Sequence, residues 1–202
     1  MVMRDVVQRQ EENPNANVQI PNEPSYQGKS LGEWLKMRRG WDLSTNAVEA
    51  LRQMGTNAIP ALLARLTYTD PDFGLPRYDI SMEGVSGLIA LGEQAVPALP
   101  AIAAVMDSDD QDLAIRAMMA TLGTGTNAWP CLVKGLTSRH PDLRHESANT
   151  LSDWGAQFPK GREMAVFLLR NLLTDPDQEI RMNATNQLTE LESAAAAKAK
   201  IK

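Results

Sequence analysis

The chain alternates short apolar stretches, spaced like the buried stripe of an α-helix, with turns built from glycine and proline. Apolar residues recur three and four positions apart at Ala47, Val48, Leu51 and Met54, and again at Ile59, Leu62, Leu63 and Leu66. That spacing places each set on one side of a helix. The same pattern predicts helices over 80–91, 97–106, 110–122, 127–136, 141–154 and 161–173, with a closing helix over 177–191. A short helix is predicted near Leu31–Leu35, where Ser30 and Glu33 have capping-box spacing.

A six-residue phrase sets the pairing of these helices: Gly55-Thr-Asn-Ala-Ile-Pro60, Gly92-Glu-Gln-Ala-Val-Pro97 and Gly125-Thr-Asn-Ala-Trp-Pro130. Glycine just past a helix end accepts a left-handed backbone, and proline is tolerated in a first helical turn, so the phrase reads as stop, turn, start. Its prolines lie 37 and 33 residues apart, in the range of two-helix repeats. The fourth pair departs from it, with Gly155-Ala-Gln-Phe-Pro159 one residue shorter and Lys160-Gly161 added. Pro100, three residues after Pro97, should disturb the start of its helix. An isolated hairpin cannot bury both apolar faces, so the pairs must stack. The predicted fold is all-α, a right-handed α-α superhelix of about four to five hairpins.

A second recurring phrase, Ile115-Arg116, Leu143-Arg144 and Ile180-Arg181, marks the first helices of the later pairs. Arginines at matching positions are expected to bridge neighbouring pairs as a structural ladder. Residues 1–25 are polar and dotted with proline and read as a disordered tail. The repeat domain then spans 26–192, and 193–202 form an Ala/Lys-rich extension.

Hydrophobic residues make up 43% of the chain, enough for a continuous core. The formal net charge of −5, with Lys and Arg scattered, argues against a nucleic-acid ligand. A single cysteine, Cys131, excludes an intramolecular disulfide and reads as a buried small hydrophobe, a reactive thiol being the minor alternative. Charges interrupt the N-terminal segment where a signal peptide would be apolar. The longest uncharged apolar run, Ala95–Met106, is shorter than the roughly 18 residues of a membrane span. A cytoplasmic, non-membrane protein is expected from the chain as given.

Chemistry-bearing patterns are sparse. His140 and His145-Glu146 are too few to build a metal centre, no Gly-x-Ser-x-Gly elbow is present, and no phosphate-binding loop occurs. Gly123-Thr-Gly125 lacks the Lys and Ser/Thr of such a loop and reads as a turn. No catalytic, cofactor-binding or metal residue is therefore assigned, and no enzyme activity is expected.

The phrase Gly-x-x-Ala-(Ile/Val/Trp)-Pro, followed by Ala-Leu-Leu-Ala-Arg-Leu66 or Cys-Leu-Val-Lys-Gly-Leu136, resembles bacterial HEAT-like repeats when taken with Asp-Pro-Asp-x-x-Ile-Arg. These belong to the armadillo-type group that includes the repeats of phycobilisome lyases. The opening Tyr26-x-Gly-Lys-x-Leu-x-x-Trp-Leu35 is similar to the segment before such repeats in other bacterial proteins, and the likeness covers Tyr26 to Leu191. It implies a HEAT/armadillo-type solenoid. A related helical-repeat enzyme class, deoxyhypusine hydroxylase, holds two irons with several His-Glu pairs, whereas this chain has one.

The expected function is non-catalytic binding of a protein partner. Arg65, Lys134 and Arg170 are predicted to stand exposed on the second helices, which would line a concave face suited to an acidic or extended polypeptide. The long connection 67–79 brings Tyr68, Phe73, Arg77 and Tyr78 together and is the other candidate surface. The alternative is an enzyme accessory, or a lyase-like chaperone handling a chromophore or other small ligand. The helical methionines, with Trp129 and Trp154, are expected in the core.

Overall fold

A computed structural model describes residues 20, 22–40, 42–70, 77–158 and 161–199. Most of the expected tail and Phe73 lie outside these residues. What is described is mainly α-helical, with two short antiparallel ladders near its start.

The first ladder joins β1 (Ser25–Tyr26) to β2 (Lys29–Ser30) across Gln27 and Gly28, both at positive φ. It leads into α1 (Leu31–Leu35), whose start carries the capping box read from Ser30 and Glu33. The Trp34 indole N–H donates to the Tyr26 carbonyl at 3.1 Å, and the Lys29 ammonium sits 4.7 Å from the Trp34 ring centroid. The Tyr-x-Gly-Lys-x-Leu-x-x-Trp-Leu segment thus folds on itself. The boundary drawn at residue 26 falls inside this unit, because Leu31 N–H donates to the Pro24 carbonyl and Gly32 N–H to the Glu23 carboxylate. The second ladder, β3 (Arg38–Arg39) with β4 (Asp42–Leu43), has no hydrophobic alternation to announce it.

The remaining helices are α2 (Thr45–Met54), α3 (Ile59–Leu66), α4 (Tyr78–Leu91), α5 (Leu99–Val105), α6 (Gln111–Ala120), α7 (Trp129–Leu136), α8 (Pro141–Gln157), α9 (Arg162–Asn171) and α10 (Gln178–Ala199). Each six-residue phrase does what its composition requires. Gly55, Gly92 and Gly125 adopt φ of 59°, 62° and 58°, a region closed to most L-residues, and the following residues wind as 3₁₀ turns into the next helix. The effect expected of Pro100 is visible here, since the 3₁₀ turn runs on to Ala98 and α5 begins only at Leu99.

Helices α2, α4, α6, α8 and α10 pack in consecutive order, and α3, α5, α7 and α9 each pack against the first helix of the following pair. The glycine turns also touch in series, 55–58 on 92–98 and 92–98 on 122–128. One core cluster runs the length of this arrangement, through Leu31, Leu51, Leu62, Leu88, Ile102, Met118, Leu132, Leu151, Leu169 and Leu188. Full burial of such a side chain contributes roughly 1.5–3 kcal/mol. Helix α4 passes so near α3 that a β-carbon on Gly84 would lie 2.6 Å from the Leu66 backbone nitrogen.

Residues Tyr78–Val105 are helical and apolar enough by length and mean hydropathy, 1.6 over the best window, to cross a membrane. They do not form one straight rod, because the Gly92 turn divides them into α4 and α5. Two side-chain expectations change as well. Met164 and Met182 are exposed rather than in the core, and Trp129 is only half-buried, edge-to-face against buried Trp154 with ring centroids 6.1 Å apart. Met164 lies on α9, which no later second helix among the described residues covers, and Trp129 stands at the first position of α7.

Candidate functional site

The predicted contact residues separate into three environments. Arg65 is not exposed. It is 3% accessible on the last turn of α3, where it donates to Glu83 of α4 at 2.6 Å and pairs with Glu23 before β1. Gly32 of α1 leaves room for its guanidinium, since a β-carbon there would meet Nη2 at 2.6 Å. Burial is the main influence on Glu83 and pushes its pKa up, with Arg65 opposing. Because α4 crosses α3 closely, this helix position faces a neighbour instead of solvent, which spacing alone could not reveal. Arg65 clamps the opening segment to the first helix pair.

Arg77 is likewise buried. Its Nε and Nη2 donate to the two Asp79 oxygens at 2.9 and 2.6 Å, and Asp70 lies 3.7 Å from Nη1. The Arg77 backbone N–H donates to the Tyr68 carbonyl at 3.2 Å, so Arg77 closes the base of the 67–79 connection. Tyr68 is half-buried. Tyr78 is 54% exposed and has the Arg116 guanidinium carbon 5.4 Å from its ring centroid. Tyr78 borders a cavity of about 430 Å³ with Leu43, Val48, Met82, Ile89 and Met119. Its ring thus belongs to a surface between first helices, apart from the arginine beside it in sequence.

Arg170 is exposed, as expected, whereas Lys134 is half-buried with its ammonium reaching solvent. Lys134 of α7 pairs with Asp107 at 2.7 Å, and Arg170 of α9 with Glu192 of α10 at 3.2 Å. Lys134 lines a cavity of about 290 Å³ that adjoins a larger one of about 610 Å³, the two sharing Thr137, Ser138 and Arg139. The larger has an apolar floor from Val133 and Leu136 of α7 with Leu168 and Leu172 beyond. Arg139 bonds the Asp107 carbonyl at 3.0 Å and pairs with Asp109. These rim pairs are exposed and hold their partners weakly, so exchange for an incoming carboxylate costs little. Arg170 is not among the lining residues of either cavity.

Sequence reading missed Val133, Leu168 and Arg139. A signal existed for Val133, which follows a phrase proline by three residues just as half-buried Leu63 does and is 39% exposed. An apolar residue at an outward position beside Lys134 marks a surface prepared for contact.

The arginine ladder forms through hydrogen bonds. Arg116 Nε donates to Ser81 Oγ of the preceding first helix at 2.9 Å. Arg144 reaches both ways, donating to the Ser138 carbonyl at 2.9 Å and to both Asp175 oxygens at 2.8 and 2.9 Å. Arg181 donates to the Asp175 carbonyl at 2.6 Å. The Arg144 hydrogen bonds hold the Asp175 carboxyl below its ordinary pKa.

Elsewhere the chemistry is subdued. Cys131 is buried, and that burial raises its pKa, so it stays a thiol at neutral pH. His140 Nε2 lies 2.8 Å from the Ser108 carbonyl and joins adjacent loops. Among the described residues no three His, Cys, Asp or Glu side chains are grouped to hold a metal ion. No protein-family model matches the chain, and no curated protein matches it in sequence.

Proposed function

We propose that this chain is a solenoid of stacked helix pairs that binds an extended polypeptide without catalysis, in the groove between α7, α9 and the loops around Ser138 and Pro176. The observation that carries this reading is the groove itself, about 610 Å³, with an apolar floor, Arg139 at its rim and Lys134 in the cavity that adjoins it. Such a surface offers apolar contact for alternate side chains of an extended chain and cationic partners for its acidic ones. The serial packing of first helices and the contacts between successive glycine turns support the solenoid, and the recurrence of the six-residue phrase supports its likeness to HEAT-like repeats.

The test is selection of binders from a displayed library of random twelve-residue peptides, followed by fluorescence anisotropy. Selected peptides should carry acidic and apolar residues. Val133→Asp or Lys134→Glu should weaken them about tenfold while leaving the unfolding midpoint nearly unchanged, since both side chains reach solvent. Peptides that bind both variants as tightly as the parent would refute the groove. A purified protein that carries a visible chromophore would move the reading to a small-ligand accessory.

A further inference from the structure

Helix α9 carries a stripe that no other helix among the described residues covers. Its accessible residues are Glu163, Met164, Phe167, Arg170 and Asn171, which recur at helical spacing along one side, while Ala165 and Leu169 face the core. Met164 is 53% and Phe167 64% exposed, the latter the most accessible of the large hydrophobics among the described residues. Two large apolar side chains left in water on one helical face mark an interaction surface.

The charges on this stripe identify the occupant. Glu163 stands at the N-terminal end of the helix and Arg170 at the C-terminal end, with Met164 and Phe167 between them. A stripe with acid at one end, base at the other and apolar residues between is complementary to itself when turned end for end, as a two-fold interface requires. An axis passing near Phe167 sets the two rings together, brings Glu163 of each copy beside Arg170 and Asn171 of the other, and lays Met164 along the Arg170 stem. The intramolecular Arg170–Glu192 pair is exposed on both sides and does not oppose this exchange.

We infer that α9 is a homodimerisation surface, on which two copies of this chain pack antiparallel. A patch of one helix face is smaller than the ~800 Å² per partner of a standard interface, so the dimer is weak and concentration-dependent. Asn171 also lines the larger groove, so dimerisation places the grooves of the two copies on either side of the axis. A partner with two binding segments would then engage both at once and gain avidity.

Sedimentation equilibrium of the full chain, from about 1 µM to 1 mM, tests this. The weight-average mass should rise from one chain towards two. Phe167→Ser should keep the protein monomeric. Glu163→Arg and Arg170→Glu should each raise the dimer dissociation constant about tenfold, and the two together should restore it to within a few-fold of the parent. Circular dichroism of each variant at low concentration should match the parent, because all three residues are in solvent. A chain that stays monomeric throughout, or a double reversal that does not recover association lost in the single ones, would overturn the assignment. The peptide experiment is read at concentrations where the chain is monomeric, so either proposal can fail without the other.

Discussion

The opening of the first helix pair and the second helix of the last pair are finished in opposite ways. At the start, a polar segment folds over the first pair and buries an arginine between two carboxylates, Glu23 and Glu83. At the end, α9 presents Met164 and Phe167 to water with only scattered charge around them. Both concern one problem, since a helix at the edge of a packed series has an apolar side that no further helix pair covers. The start solves it within the chain, at the cost of desolvating three charges. The end leaves it for something else to cover, and this contrast is the reason to look for partners near α9 and not near α1.

The contrast can be broken most directly at Arg65. Arg65→Ala leaves Glu83 buried without its counter-charge and should destabilise the protein by about 3–5 kcal/mol in urea unfolding monitored by circular dichroism. Arg65→Met combined with Glu83→Leu should recover most of that loss, because the uncompensated charge is gone. A near-neutral Arg65→Ala would mean that the opening segment is not held by this cluster.

A smaller effect is expected at Asp175, where the same chemistry recurs between loops. Its folded pKa is depressed by Arg144, so its contribution is fully present above the unfolded carboxylate value, about 3.9, and is lost as pH falls through the lower folded value. Glu83, raised by burial, has the opposite sign and gains stability on acidification. The two separate in a difference measurement. Asp175→Asn should cost about 1.5–3 kcal/mol at pH 7 and progressively less from pH 5 downwards, read as thermal midpoints of variant and parent. A difference that stays constant with pH would exclude the Arg144 pair as its source.

The smallest effect sharpens the other half of the comparison. Met164→Gln with Phe167→Gln should change stability by no more than about 0.5 kcal/mol, since neither side chain is removed from a core. A loss of several kcal/mol by the same urea titration would show that this end is closed after all.

Much of the architecture was legible because it depends on local chemistry. The Gly and Pro of the repeated phrase dictate a turn wherever they occur, and the capping box at Ser30 needs only two side chains three residues apart. The arginine ladder was legible too, because its repetition revealed a shared role. Exposure was not legible in the same way. Arg65 and Lys134 both lie in the last turn of a second helix, yet they follow their phrase prolines by five and four residues, so Arg65 matches buried Gly135 and Lys134 matches exposed Ala64. On that inward face the Arg65 charge is met by Glu23 and Glu83, 42 and 18 residues away in sequence, beside the close crossing of α3 and α4 at Gly84, and these partners are what the spacing could not show. Arg77 misled for a related reason, because an arginine amid aromatics suggests a contact surface until its two aspartates are seen to enclose it. The groove floor, drawn from α7, α9 and the turn after α9, is assembled only when pairs meet.

The glycine turns and the longer loops occupy opposite ends of the same helices, and they differ in what they permit. On the turn edge, successive 3₁₀ segments lie against one another and their glycines sit at backbone angles that other residues avoid. On the loop edge, connections as different in length as 67–77 and 137–140 join helices that pack against each other. Growth in this protein is therefore one-sided: grafted peptides or lengthened segments have somewhere to go at the loops, while the turn edge acts as a fixed hinge-pin that keeps the helix pairs in step.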